Sequence, residues 1–359
     1  MDFFELLKFS IGSIDHVSEE GDTDWEEIQE ISKKQALTGV VYAGVERLPA
    51  NLRPLKRQLL KWYYKADKIK QRNEKGYEAC GILSEMFHVA GIECCVLKGQ
   101  GNALMYPNPY IRVPGDIDLW VNPQKVQITD GKLIVGNRQL KVGRLVYHHF
   151  DVESIHGVSV EIHTRPSFMN NLVNNRRMQR WFSSQAAEQF ANKVMLPVNG
   201  DFISVPTMEF NVVFQLSHIS KHFFQEGIGL RQFVDYYYVL HQAQVNRNNM
   251  VITLKSLGLY KMAKAVMYVE LELLGLDEKY LIVPVDQKRG RFLYDEIMAS
   301  GNFGHYDRRV GRFYKKTTVG RNLERIRRDF RLMWLFPSEC LWEPVFRVWH
   351  YAWRLKNSH

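Results

Sequence analysis

Two acidic residues stand one position apart in 115-GDIDLWV-121, a segment otherwise made of glycine and large apolar residues. Its apolar content and short length predict a buried strand over 116–121. Because side chains alternate along a strand, Asp116 and Asp118 leave one face, while Ile117 and Leu119 leave the other. Two neighbouring carboxylates repel and raise each other's pKa. A divalent cation such as Mg²⁺ relieves that repulsion, so the pattern favours a metal site over general acid–base chemistry.

A third acid is expected to complete such a site, and Glu161 is the best candidate. Its segment, 158-VSVEIHT-164, alternates apolar and polar residues and predicts a strand with Glu161 and His163 on the polar face. If this strand lies beside the first, three carboxylates share one face and can hold two metal ions. The alternative interpretation is a half-exposed strand residue that pairs with Arg165 or Lys98.

A glycine turn, 97-LKGQG-101, precedes the aspartates and connects a short apolar strand over 92–97 to a helix expected over 102–106. Glycines at such a turn let backbone N–H groups approach phosphate oxygens, helped by the helix N-terminus. Glycine pairs are common in turns, so this one is informative only because it lies just before the two aspartates.

Taken together, these segments resemble the nucleotidyltransferase superfamily typified by DNA polymerase β. The order is strand, Lys98-Gly99, short helix, Arg112, Gly-Asp-x-Asp and a later Val-Glu-x-His strand. Within it the chain is similar to an uncharacterised bacterial branch with an "LKG … R..GDIDL" signature. Weaker likeness extends to Asp24-Trp25-Glu26 and to 218-HISKHFFQEGIGLRQFVDYY-237.

The resemblance implies transfer of a nucleoside monophosphate from an NTP to an acceptor hydroxyl, with release of pyrophosphate. It assigns Asp116 and Asp118 to the Mg²⁺ (or Mn²⁺) that grips the triphosphate, and Asp118 with Glu161 to a second ion. It assigns the phosphate loop to Gly99, Gln100 and Gly101. It assigns the neutralisation of the transferred charge to Lys98 and Arg112. Lys98 and Arg112 are equally compatible with structural ion pairs.

Two departures from the superfamily pattern stand out. Gln100 replaces the usual serine, which removes a hydroxyl that often touches phosphate, although its amide can donate instead. Where a helix is expected between the second and third acidic strands, KLIV-GN-RQLKV reads as a hairpin, with turn signals at 130–131, 136–137, 143 and 156–157. The placement of the Glu161 strand therefore stays open.

Other polar residues support weaker hypotheses. His218 and His222 have the i, i+4 spacing of a zinc pair, but packing or phosphate contact is the simpler interpretation. Arg231 and Asp235 share that spacing, and either an ordinary helix salt pair or a role in shaping the site fits. His163, and His149 with it, is expected near the metal face.

The periodicities divide the chain into three predicted regions and indicate an α+β fold. Residues 1–90 read as helical, with Asp24 as a helix cap and Gly91 ending a long helix. Residues 91–205 form the catalytic core, with a small mixed or antiparallel sheet. Residues 206–359 return to helices, and the aromatic stripe Phe346, Trp349 and Trp353 is typical of core packing.

Composition adds further expectations. The chain has 359 residues, of which 45% are hydrophobic and 24% charged, as in ordinary globular proteins. No apolar run reaches the ~18 residues of a membrane span. The acidic start does not resemble a signal peptide, and the four cysteines lack disulfide or metal spacing, so we expect a cytoplasmic protein.

Most of the net charge of +9 comes from residues 308–331, which contain ten Arg or Lys and two acids. This basic segment favours an anionic partner, or it is a solvated helix face. It also supports two alternative functions: a non-catalytic member of the fold that binds nucleotide, nucleic acid or protein, or a nucleic-acid-binding protein. The acceptor of the proposed transfer (small molecule, RNA or protein) and the choice of NTP stay open.

Overall fold

A computed structural model of the chain describes residues 1–18, 22–309 and 317–357. The architecture is α+β, as predicted, with one seven-stranded sheet placed between helical regions of the chain. Part of the predicted basic segment, residues 310–316, lies outside the described residues.

The first part of the chain is helical, which confirms the prediction for this region. Asp24 caps the second helix, since its side chain accepts hydrogen bonds from the backbone N–H groups of Glu26 and Glu27. The fourth helix is long, and Gly91 follows its end with a positive φ of 68°. The helices are α1 (Phe3–Ile11), α2 (Trp25–Lys34), α3 (Thr38–Arg47) and α4 (Lys56–Val89).

The large sheet has the strand order β1-β2-β7-β6-β5-β4-β3. Its pairs are antiparallel except β2 with β7, which is parallel, so the sheet is mixed. The meander from β3 to β7 brings β7 back beside β2, which settles the open connection. The strands are β1 (Cys94–Val96), β2 (Ile117–Val121), β3 (Gln127–Thr129), β4 (Lys132–Val135), β5 (Arg138–Leu145), β6 (His149–Ile155) and β7 (Val158–His163).

Three of the four predicted turns connect strands of the meander, at 130–131, 136–137 and 156–157. The prediction of a turn at Gly143 is wrong. Gly143 lies within β5, where the pairing with β6 shifts register between Val142 and Leu145. A Cβ at this position would stand 3.3 Å from the Cβ of Asp151, so the glycine permits close approach at a bulge.

Short helix α5 (Gln100–Ala103) begins directly after Gly99, two residues earlier than expected. A long helix, α6 (Leu172–Ala191), and a two-stranded hairpin, β8 (Lys193–Met195) with β9 (Phe202–Ser204), follow the sheet. Helices then return after Pro206, as predicted. They are α7 (Met208–Gln225), α8 (Leu230–Gln242), α9 (Arg247–Ser256), α10 (Tyr260–Leu274), α11 (Gln287–Ser300), α12 (Thr318–Met333) and α13 (Pro337–Asn357).

Two large apolar clusters hold these elements together. One lies between the sheet and α4, and it includes Phe87, Leu119 and Ile162. The other unites the N-terminal helices with α7, α8 and α10, so both ends of the described chain contribute to one core. The division at residues 90 and 205 remains a prediction. In the described ranges, no helix combines the length and apolarity needed to cross a bilayer.

The predicted aromatic stripe of the tail does pack inward. Phe346, Trp349 and Trp353 of α13 surround Tyr147, with ring centroids 5.0–6.2 Å apart. Phe168 stacks on Phe346 at 4.9 Å. This small cluster attaches α13 to the segment that leads into β6.

Candidate active site

Three carboxylates lie side by side on three adjacent strands. Asp118 of β2 is paired with Glu161 of β7, and Glu161 is paired in turn with Asp151 of β6. Directly paired residues project from the same face of a sheet. We call these three residues the carboxylate row. Asp116 precedes β2 by one residue and extends the acidic surface beyond the end of that strand.

Asp118 is almost completely buried, with 1% of its surface exposed. Lys98 Nζ lies 3.0 Å from its Oδ2 atom, and His163 Nε2 lies 2.9 Å from its Oδ1 atom. Burial alone would raise the pKa of Asp118, but these two neighbours outweigh burial and lower it. Asp118 is therefore a buried anion held between two nitrogen groups.

Lys98 and His163 are stabilised as cations by the same acids. Burial would lower both pKa values, yet Asp118, Asp116 and Glu161 raise that of Lys98. Hydrogen bonds to Asp118 and Glu161 raise the pKa of His163. His163 Nε2 also lies 3.3 Å from Glu161 Oε2, so one imidazole joins two members of the carboxylate row.

Two more histidines, His148 and His149, extend the site at the start of β6. His149 Nδ1 lies 3.4 Å from Glu161 Oε2 and 3.0 Å from His148 Nε2, which in turn lies 2.8 Å from Lys221 Nζ. Burial and the charge of His163 lower the pKa of His149 to about 3. Burial and Lys98 lower the pKa of Lys221 to about 8. His149 is therefore neutral near pH 7, the form in which imidazole binds metals.

The donor atoms in this region are close enough to share a cation. The ligand atoms of Asp118, Glu161 and His163 lie within 4.8 Å of one another, as do those of His149, Asp151 and Glu161. Carboxylate oxygens suit hard cations such as Mg²⁺, and imidazole nitrogens also suit transition metals such as Mn²⁺. The residues present therefore fit a divalent cation.

A cavity of about 740 Å³ opens beside the acids, between α4 and strands β6 and β7. Asp116, Asp151 and Glu161 line one side of it. Arg72 and Lys75 of α4, both exposed, line another side. A smaller pocket, which contains Lys98, Gly99 and Asp118 in its walls, shares Gly115 and Asp116 with the large cavity. The acids thus face an open space that has cationic groups on its walls.

Sequence comparison shows which protein family the chain belongs to. A family model described as an uncharacterised nucleotidyltransferase matches residues 21–275, which is more than half of the chain. The chain belongs to this nucleotidyltransferase family. Most of the carboxylate row's neighbours, including Lys98, His163 and Lys221, fall inside the matched range.

The chain is also similar to a solved structure, that of an antigenic nucleotidyltransferase-like protein from Paracoccidioides brasiliensis. The two chains are 11% identical, with a TM-score of 0.34, over 62% of this chain and 95% of the other. No curated protein matches the chain in sequence. The family assignment rests on the family model alone.

The residues of the glycine turn in this nucleotidyltransferase chain differ in their surroundings. Gly99 adopts a positive φ of 65° and lines the small pocket beside Asp116. Gly101 packs inward, where a Cβ would stand 3.1 Å from the carbonyl oxygen of Val96. Gln100 is buried, and its Nε2 donates to Asn73 Oδ1 at 3.1 Å. Gly99 and Gln100 therefore border different pockets, namely the small pocket and the large cavity.

Arg112 has an ion-pair partner in the fold, one of the two interpretations that its sequence position allowed. Its Nε and Nη2 atoms donate to both oxygens of Asp235 at 2.7 and 2.8 Å, and both residues are buried. Tyr106 donates to the same carboxylate at 2.7 Å. Arg112 and Asp235 therefore connect the loop before β2 to α8.

The simple i, i+4 pair between Arg231 and Asp235 does not form, because Arg112 binds both oxygens of Asp235. Arg231 instead donates from Nη1 to the carbonyl oxygen of Val113 at 2.9 Å. Burial and Arg112 lower the pKa of Arg231 to about 10. Arg231 and Asp235 both line the small pocket, so the predicted role in shaping the site remains a hypothesis.

His218 and His222 pack against each other on α7, with ring centroids 4.3 Å apart. Both are buried, and burial is the main cause that lowers the pKa of His222 to about 4. In the part of the chain that the structure describes, neither belongs to a group of three metal-compatible side chains. Their contacts match the packing interpretation rather than a zinc pair.

The described part of the basic segment has two kinds of residue. Arg309 pairs with Asp307 and Glu296, and Arg331 pairs with Glu296 as well. Arg325 and Arg327 are exposed on α12. The segment is therefore partly a structural ion-pair network and partly an exposed basic surface.

Proposed function

We propose that this protein transfers a nucleoside monophosphate from an NTP to an acceptor hydroxyl and releases pyrophosphate. The observation that carries the proposal is the carboxylate row. Its members Asp151 and Glu161, together with Asp116, border a cavity that Arg72 and Lys75 also line, and Asp118 borders the adjoining small pocket. Membership of the nucleotidyltransferase family supports the same reaction class.

Asp116, Asp118 and Glu161 would hold Mg²⁺ or Mn²⁺, and Asp151, which the sequence pattern did not suggest, lies beside them. When bound, such ions neutralise phosphate charge and lower the pKa of the attacking hydroxyl. Asp118 is already anionic in its buried position, because Lys98 and His163 lower its pKa. The chain thus keeps its central ligand deprotonated across the physiological pH range.

The cationic groups of the chain would bind the triphosphate. Lys98 lies at the mouth of the glycine turn, beside Gly99, in the wall of the small pocket. Arg72 and Lys75 reach the large cavity from α4. In the transfer, a bond forms between the acceptor oxygen and the α-phosphorus while the α–β bridging bond breaks. Asp151, half exposed at the cavity edge, is placed to accept the hydroxyl proton.

A second candidate function is nucleotide binding without transfer. One observation favours it: Lys98 and His163 each contact one oxygen of Asp118, so a metal ion would compete with them for this carboxylate. If they stay in place, the site binds an anionic ligand but lacks its central metal ligand. Acceptor classes under the first proposal remain a small-molecule hydroxyl, an RNA end or a protein side chain.

The test is pyrophosphate release together with label transfer. The protein is incubated with each α-phosphate-labelled NTP, Mg²⁺ or Mn²⁺, and acceptor panels that contain RNA, sugars and the protein itself. We expect labelled acceptor and pyrophosphate from the wild type and from Asp130→Asn, a control in the β3–β4 turn. Asp116→Asn should lose both products. Nucleotide binding without either product, across all acceptors, would favour the second candidate.

A further inference from the structure

Helix α12 carries a continuous apolar stripe on its outer side. The stripe recurs every three or four residues, as one face of a helix requires. Phe330 is 70% exposed, and Trp334, just after the helix, is 82% exposed. The stripe consists of Val319, Leu323, Ile326, Phe330 and Trp334, all exposed.

Helix α13 carries a second stripe with the same spacing. Val348 at its start is 73% exposed. This stripe is distinct from the inward aromatic side of the helix, on which Phe346 packs against Tyr147 and Phe168. The helix therefore has its core contact already and exposes a further apolar side. The second stripe consists of Val348, Tyr351 and Leu355, all exposed.

The two stripes face the same way. Only residues 334–336 connect α12 to α13, so the helices form an antiparallel hairpin. Asp329 and Glu343 hydrogen-bond across the pair and mark the facing sides. At about 100° per residue, each stripe lies roughly a quarter to a third of a turn from those sides. In an antiparallel pair these rotations point to one surface, which we call the hairpin outer face.

The exposed charges of the hairpin have a single sign. All four of its described acids, Glu324, Asp329, Glu339 and Glu343, are buried or half-buried. The exposed charged residues in the described part of the hairpin are basic, namely Arg325, Arg327, Arg354 and Lys356. Arg327, three residues before Phe330, lies beside the stripe of α12, and Lys356 lies at the C-terminal end of α13. The apolar surface is therefore bordered by positive charge.

We propose that the hairpin outer face binds the surface of an anionic lipid bilayer, with both helices lying in the interface plane. Exposed Trp, Phe, Leu and Val side chains beside arginine and lysine are the composition that places a helix at this depth. The basic residues add attraction to anionic headgroups. A second copy of the chain fits less well, because two such faces would bring like charges together.

This inference is independent of the proposed function, but it bears on the site. Tyr147 donates its backbone N–H to His350 of α13 at 3.3 Å and directly precedes His148 and His149. A bilayer-bound hairpin would therefore set the orientation of the histidine segment relative to the membrane. The docking can be tested without any nucleotide.

The experiment is co-sedimentation of the full chain with vesicles. One set contains phosphatidylcholine alone, and in the other about one lipid in three is phosphatidylglycerol. We expect the wild type to sediment with the anionic vesicles only, and less at high salt. Phe330→Asp and Val348→Asp should each weaken binding about tenfold or more. Arg327→Gln with Lys356→Gln should weaken anionic binding as well.

Leu60→Asp and Tyr63→Asp on α4 are matched controls, because they alter exposed apolar residues on another helix. Both should bind vesicles like the wild type, and circular dichroism should show all variants folded. Equal sedimentation with both vesicle types, or binding that Phe330→Asp leaves unchanged, would overturn the proposal. So would a dimer, measured by light scattering, that Phe330→Asp dissociates while wild-type protein ignores vesicles.

Discussion

Asp118 and Glu161 are directly paired across the parallel strands β2 and β7, and His163 contacts both carboxylates through its Nε2 atom. The pairing depends on the meander between these strands, which returns the chain to the edge of β2. Two acids that are 43 positions apart in sequence thus become neighbours on one sheet face. The same relationship predicts how the protein responds to changes in its buried charges.

Replacing Asp118 should destabilise the fold as well as the site. In Asp118→Ala, the buried Lys98 and His163 lose their counter-charge, at a cost of about 3–5 kcal/mol. Asp116→Ala should cost less than about 1 kcal/mol, since Asp116 has only partial burial. Urea unfolding measures both. Adding Lys98→Met to Asp118→Ala should recover stability; a double variant no more stable than Asp118→Ala would contradict this account.

The buried pair of Arg112 and Asp235 predicts a second stability effect. Asp235→Asn removes the counter-charge of a buried guanidinium and should lower the free energy of unfolding by about 3–5 kcal/mol. Glu272→Gln, at an exposed site of α10, is the control. If urea unfolding gives the same value for both variants, the pair does not hold α8 to the loop before β2.

Sequence patterns predicted the parts of this fold that depend on local chemistry. The Asp24 cap, the end of α4 at Gly91 and the alternation in β7 follow from short-range geometry, and the structure confirms them. The same alternation correctly placed His163 on the face of Glu161. A local pattern, however, cannot distinguish a glycine turn from a glycine bulge, which explains the error at Gly143.

The missed site residues depend on long-range register. Asp151 reaches the carboxylate row only because β6 pairs with β7 in one register, and nothing near Asp151 in sequence indicates that partner. Lys221 reaches His148 from a helix 73 positions away. One pair of missed cavity residues did leave a signal in the sequence: Arg72 and Lys75 of α4 are three residues apart, beside Gly76. That spacing places them on one helix face.

Gly76 and Gln100 should show strong coupling. A Cβ at position 76 would stand 2.5 Å from Gln100 Nε2 and 2.8 Å from its Cδ, so Gly76→Ala should destabilise the protein by about 1–3 kcal/mol. With Gln100→Ser in place the clash disappears, and alanine should then be neutral or favourable in the helix. A double-mutant cycle by urea unfolding checks this. Additive effects of the two changes would contradict the observed contact.

Glu339 predicts a pH dependence of stability. Burial is the main cause that raises its pKa to about 7, while the Asn170 N–H donates to it at 2.8 Å. Its folded-state pKa lies above the unfolded value of 4.5, so its contribution is full below pH 4.5 and is lost as pH rises through about 7. The free energy of unfolding should therefore fall by up to about 3 kcal/mol over this window.

The matched variants isolate that effect. Glu339→Gln cannot ionise and should reduce this fall, measured as the unfolding midpoint in urea at each pH. The remainder comes from Asp329, whose pKa burial and Glu343 also raise to about 7. Glu209→Gln, at an exposed position of α7, should keep the wild-type profile. A wild-type profile that rises over the same range and is unaffected by Glu339→Gln would contradict the assignment.

The most direct test of the proposed active site is nucleotide binding by the acids that face the cavity. Thermal unfolding is measured with each of the four common NTPs and Mg²⁺ or Mn²⁺, for wild type, Asp116→Asn, Glu161→Gln and the control Asp130→Asn. The account predicts that at least one metal–NTP pair raises the midpoint of wild type and Asp130→Asn, and that Asp116→Asn and Glu161→Gln lose this shift. An equal shift in all four proteins, or none with any NTP, would contradict a metal–nucleotide site at these carboxylates.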